Sequence, residues 1–158
     1  MLKSKKGITL VELIISVAFT SIIIAASCSV MFLGEDFFKS GTKSAMNQQN
    51  AALAEDYIRR YAAVAFKLSE KSDKLEDCAV FTLDNNVLNI ECTSPKDTVK
   101  VDEIDDIQFK IENNLLKYTI ESKDKTYKLS GAVIMNNFET GDAPASLKGN
   151  NKLYMYLS

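Results

Sequence analysis

The chain has 158 residues, of which 46% are hydrophobic and 25% charged, and its formal net charge is −2. That length fits one globular domain plus an anchor, and the composition excludes both a disordered tail and a polytopic membrane protein. Histidine is absent, so the usual general base and the commonest metal ligand are missing. Catalysis, a metal centre and a cofactor are therefore not expected, and a chain this weakly charged is not expected to take nucleic acid as its main partner.

Residues 1–7 form a short leader whose charges, Lys3, Lys5 and Lys6, are all basic. Residues 8–34 follow as an apolar segment in which Leu13 to Gly34 carry no charge, a run of 22 positions. Such a run is long enough to cross a bilayer as a helix. The lysines keep the amino terminus cytoplasmic and place everything after Gly34 outside, as a single-pass protein. One residue is out of keeping. Glu12 interrupts the apolar stretch that begins at Ile8, and a carboxylate near the centre of a membrane helix costs roughly 2.5–3.5 kcal/mol even on lenient insertion scales.

Residues 35–70 read as the soluble continuation of the same helix. Apolar or small residues recur at Phe38, Gly41, Ala45, Ala52, Tyr57, Tyr61, Val64 and Leu68, mostly at steps of three or four or their multiples, which marks one stripe on a helix. In Tyr57–Tyr61 the two tyrosines are expected to pack inward and the two arginines to face water or a neighbour.

From residue 71 to 158 the period changes to that of strands. The stretch CAVFTLDNNVLNIEC reads as a hairpin around Asp84–Asn86. If that three-residue loop closes Leu83 against Val87, Cys78 and Cys92 fall opposite each other, as a disulfide in an oxidising compartment or as two buried thiols. The stretch IQFKIENNLLKYTIE alternates about Asn113–Asn114, so Ile111 should face Leu116, Phe109 face Tyr118 and Ile107 face Ile120. A third strand, TYKLSGAVIMN, returns through Lys123–Asp124 with Tyr127 near Ile120, and KLYMYLS supplies a last one. The fold class expected is α+β, a long amino-terminal helix whose membrane-spanning first half is followed by a half that covers an antiparallel β-meander. The acid run Asp102–Asp106 reads as a solvated strand edge or turn in preference to a cation site, because calcium loops demand stricter spacing. Glu139 and Asp142 in the last loop are another calcium candidate.

Lys-Gly followed by Ile-Thr-Leu-Val-Glu and an apolar helix resembles the processing motif of type IV pilins and type II secretion pseudopilins. The resemblance implies cleavage between Gly7 and Ile8 by a prepilin peptidase, N-methylation of Ile8, and Glu12 as the fifth mature residue. It also implies a pilin-like fold, and as partners the membrane lipid before assembly, a membrane assembly platform and other pilin or pseudopilin subunits. The route would run from the cytoplasmic membrane to a periplasmic or cell-surface filament. Within the family, the Glu12 carboxylate would meet a neighbour's terminal amine, an assembly salt bridge inside an apolar bundle. Removing one partner of such a buried pair costs about 3–5 kcal/mol. The helix dipole also favours Glu12 near the helix start, by about 0.3–1 kcal/mol, less than the burial cost. No proline falls between Ile8 and Leu33, unlike many major pilins, which points to a minor subunit, and Glu12 sets the chain apart from the tip-type subunit that typically lacks it. A rival reading is a membrane-tethered extracytoplasmic binding module, either a lipoprotein lipidated at Cys28, which follows IIAAS, or an uncleaved single-pass protein.

Overall fold

The computed structural model describes residues 9–72, 77–93, 96–149 and 151–157. It has an α+β architecture: α1 (Leu10–Val64) is followed by β1 (Ala65–Ser69), β2 (Cys78–Asp84), β3 (Val87–Cys92), β4 (Asp97–Val101), β5 (Ile104–Glu112), β6 (Leu115–Ser122), β7 (Lys128–Ile134), β8 (Thr140–Gly141) and β9 (Lys152–Leu157). The chain divides into two units, residues 1–43 and residues 44–158. The first is described below with the candidate site.

In the second unit the strands form two sheets, one of six strands in the order β4-β3-β2-β9-β1-β8 and one of three in the order β5-β6-β7. Asn47, Ala51, Ala54, Ile58 and Ala62 of α1 are buried, at steps of four, three, four and four that keep them on one face. Their core neighbours come from both sheets, among them Phe81, Leu88, Ile107, Leu116, Ile120 and Met155. The buried face differs from the expected stripe, because Phe38, Gly41, Ala45, Ala52 and Val64 are exposed. Three alanines on the true face let the sheets come close, and the bulkier Tyr57 and Tyr61 are half-buried at its margin. Tyr61 meets Phe81 edge-on, with ring centroids 6.1 Å apart, while Arg59 and Arg60 are exposed as expected.

The helix stops at Val64, short of residue 70, and Ala65–Ser69 enters the six-stranded sheet directly. The periodicity of AFKLS permits either state. The strand prevails because its backbone finds partners on both sides: β9 lies antiparallel on one, while on the other the amides of Glu139 and Asp142 donate to the carbonyls of Phe66 and Leu68. Gly141 makes the second approach feasible. Its φ of +150° is open to glycine, and a Cβ there would collide with the Leu68 backbone.

The second hairpin has the expected register, with Ile111 opposite Leu116, Phe109 opposite Tyr118 and Ile107 opposite Ile120. The third strand is shifted: Ile120 faces Leu129, not Tyr127. The turn from β6 to β7 spans Lys123–Thr126 and is organised by Asp124. Asp124 Oδ1 accepts from the Thr126 amide at 3.1 Å and from Ser122 Oγ at 2.9 Å, an Asx turn longer than a two-residue connection.

Candidate membrane and assembly helix

Thr9 starts the helix. Its carbonyl accepts from the Leu13 amide at 3.2 Å and its hydroxyl from the Glu12 amide at 3.3 Å. The order Thr9-Leu10-Val11-Glu12 is that of a capping box, threonine at the cap and glutamate at the third helical position. The local reason this supplies for a glutamate at position 12 is that its carboxylate stands in the positive end of the helix dipole. Among the described residues, no cation reaches that carboxylate. Gly7 and Ile8, the expected scissile pair and methylation site, lie outside the described residues, as do Lys3, Lys5 and Lys6.

Beyond Glu12 the helix is apolar on every side and unburied. It is long and apolar enough to cross a membrane, and none of its most apolar window is buried inside the protein. The large apolar side chains from Leu10 to Phe38 are all at least half exposed, from 50% at Ile15 to 77% at Leu10 and Met31. Five hydroxyls lie in the charge-free run, and each donates to a carbonyl of the preceding turn. Ser16 donates to Glu12, Thr20 to Ser16, Ser21 to Ala18, Ser27 to Ile23 and Ser29 to Ala25, at 2.8–2.9 Å. A polar group that must enter hydrocarbon needs such internal satisfaction, because lipid offers no partner. Cys28 is an exposed thiol on this helix.

The cysteines of the first hairpin are not opposite each other. The loop is two residues, Asn85 and Asn86, at φ of 49° and 64°, which closes Asp84 against Val87 and sets Ala79 opposite Cys92. One residue of shift moves a side chain to the other face of a strand. Cys92 is therefore buried on the inner face and Cys78 half-buried on the outer one, and the expected pairing of Cys78 with Cys92 gives way to separate environments. Cys78 Sγ lies 3.5 Å from Thr93 Oγ1. The Tyr61 hydroxyl pKa is raised by burial and then by the neighbouring Cys92 thiol.

The acid run divides: Asp102 is exposed and lies with Glu103 in the turn between β4 and β5, as expected, whereas Asp105 and Asp106 have partners within the protein. Asp105 is the extra residue of a bulge in β5, where the register shifts between Ile104 and Asp106. The bulge aims it at Lys148 Nζ, 2.8 Å away, and that hydrogen bond holds its carboxyl below the usual range. Asp106 is buried and accepts from Ser146 Oγ and from Gln108 Nε2. Backbone bonds from Phe109 to Ala145 and from Leu147 to Ile107 complete a strap that covers the outer edge of β5. Among the described residues, no group of three acids or cysteines could hold a metal ion.

Two further contacts pin α1 to the three-stranded sheet, and the sequence pattern does not reveal them. Asn47 Nδ2 donates to both Asp124 oxygens at 3.0 Å and to Thr126 Oγ1 at 3.2 Å. Tyr118 Oη donates to Glu55 Oε1 at 2.7 Å, and its ring lies against Gly131, where any Cβ would clash. Burial, then the Glu55 carboxylate, pushes the Tyr118 pKa up to about 12. The signal available in the sequence was Asp124 with Thr126, the turn-forming Asp-x-Thr pattern. Asn47 gave none. Comparison of the chain with protein-family models, with curated proteins and with solved structures finds no match.

Proposed function

We propose that this chain is a minor structural subunit of an envelope filament of the type IV pilus or pseudopilus kind. In this reading a prepilin peptidase cuts after Gly7 and methylates Ile8, the apolar helix waits in the cytoplasmic membrane, and assembly packs it among the helices of other subunits. The observation that carries the reading is Glu12: an exposed carboxylate with no cation among the described residues, at the start of a helix whose apolar surface is uncovered on all sides as far as Phe38. A filament would supply both missing partners, a terminal amine for the charge and neighbouring helices for the surface. The α+β domain behind the helix would supply contacts to neighbouring subunits.

The Thr9 cap favours a second reading, a membrane-tethered extracytoplasmic module in which Glu12 does no more than start its helix. Glu12→Gln separates the two. Glutamine keeps the capping-box geometry and removes the charge. The filament reading predicts that this variant inserts normally and fails to enter filaments in its native host. Incorporation at the wild-type level would leave the tethered module as the better account.

A further inference from the structure

Past the charge-free run, α1 does not turn polar at once. Glu35 and Asp36 are followed by Phe37 and Phe38, which are 76% and 75% exposed, and by Lys39, whose Nζ lies 2.6 Å from Glu35 Oε1. At about 100° per residue, Phe32, Phe37 and Phe38 stand at roughly 0°, 140° and 240° around the axis, so the three rings encircle the helix.

Neither water nor hydrocarbon suits Phe37 and Phe38. Each ring presents on the order of 150–250 Å², and deep insertion would drag Glu35, Asp36 and Lys39 into the apolar layer. The residue count places them between the two. Leu13–Gly34 at 1.5 Å per residue covers about 33 Å, against a hydrocarbon thickness of about 30 Å. Phe37 and Phe38 then stand about 5–6 Å past the end of the run, level with the lipid headgroups.

We propose that Phe37 and Phe38, with Phe32 beneath them, form an aromatic collar that beds into the headgroup layer at the carboxyl-terminal end of the span and sets the depth of the helix before assembly. Phenylalanine lacks the polar tip of the tryptophan and tyrosine that make up aromatic belts, but its ring beds into the boundary between headgroups and acyl chains on interfacial helices. The flanking acids and Lys39 stay hydrated there. The inference rests on the membrane span of the proposed function, and its test keeps the two apart.

The chain contains no tryptophan, so each Phe37→Trp, Phe38→Trp or Ile23→Trp variant carries a single selective fluorophore. The full-length variants are placed in phosphatidylcholine vesicles carrying a quencher either on the headgroup or near the acyl-chain end. The collar predicts that Phe37→Trp and Phe38→Trp lose most of their emission to the headgroup quencher and little to the deep one, with Ile23→Trp doing the reverse. If Ile23→Trp is quenched deeply while either collar reporter escapes both quenchers or follows the deep one, the collar is wrong and the span stands. If Ile23→Trp escapes the deep quencher, the span itself fails. Depth setting has its own readout: adding Phe37→Ser and Phe38→Ser to a Leu33→Trp chain should change the ratio of shallow to deep quenching. An unchanged ratio would show the rings to be passengers.

Discussion

Residues 10–43 and 44–64 of α1 share one secondary structure and differ in everything that touches it. In the first stretch, large apolar side chains point in all directions and none is buried, and five hydroxyls in the charge-free run are satisfied by the helix's own carbonyls. In the second, burial is confined to one face built from Asn47, three alanines and Ile58, and the polar groups reach outward to partners far along the chain, Glu55 to Tyr118 and Asn47 to Asp124. A helix in water is stabilised mainly by packing one face, whereas a helix in lipid must satisfy its polar groups internally and can be apolar throughout. The second stretch is built to pack one face in water, and the first is long and apolar enough to cross a membrane.

The sharpest way to break this comparison is one chemical change made twice. Ile58→Ala, at a position with no exposure, should destabilise the domain by about 2–5 kcal/mol. Ile23→Ala should leave the thermal midpoint of the domain where it was, and equal shifts from both would erase the distinction. Next in size, Asn47→Ala removes the donor to both oxygens of the Asp124 carboxylate and should cost about 1.5–3 kcal/mol, read as a lower denaturant midpoint with an unchanged slope.

Tyr118→Phe should cost about 1.5–3 kcal/mol, the range for a hydrogen bond to a charged group. Its pH signature has a definite sign. The folded pKa is raised to about 12 from 10.0, so the contribution is complete below pH 10 and disappears as pH rises through 12. The Tyr118→Phe chain should show less of that alkaline loss. At the acid end the sign reverses. Lys148 lowers the Asp105 pKa from 3.8, and Lys110 with Lys117 lowers that of Glu112 from 4.5 to about 2. Both contributions are present above the ordinary carboxylate values and vanish as pH falls through the depressed ones. Lys148→Met should therefore flatten part of the acid limb of a stability curve. The smallest expected effect belongs to Lys39→Gln: the pair with Glu35 is exposed on both sides, and the domain's midpoint should not move measurably.

How much was legible in the sequence follows from where local chemistry was decisive. The long apolar helix was legible because 22 uncharged residues have few alternatives, and the β5–β6 hairpin because strict alternation around Asn113–Asn114 permits one register. The β2–β3 hairpin was read one residue out. Asp84-Asn85-Asn86 supports a loop of two or of three, and the choice of two moved Cys78 away from Cys92. Strand β1 was hidden because AFKLS continues a helical spacing, and only β9 and the 139–142 segment, distant in sequence, hold it as a strand. The central place of β9 was hidden for the same reason. The roles of Asp105 and Asp106 depend on a bulge and on a strap some forty residues away, neither of which a run of acids announces.

The central claim is that this chain is a processed filament subunit, and the amino terminus tests it most directly. We would measure the intact mass and amino-terminal sequence of the protein recovered from membranes of its native host. The account predicts a chain that begins at Ile8 and carries one added methyl group. A chain retaining residues 1–7, or one beginning at a lipid-modified Cys28, would contradict it.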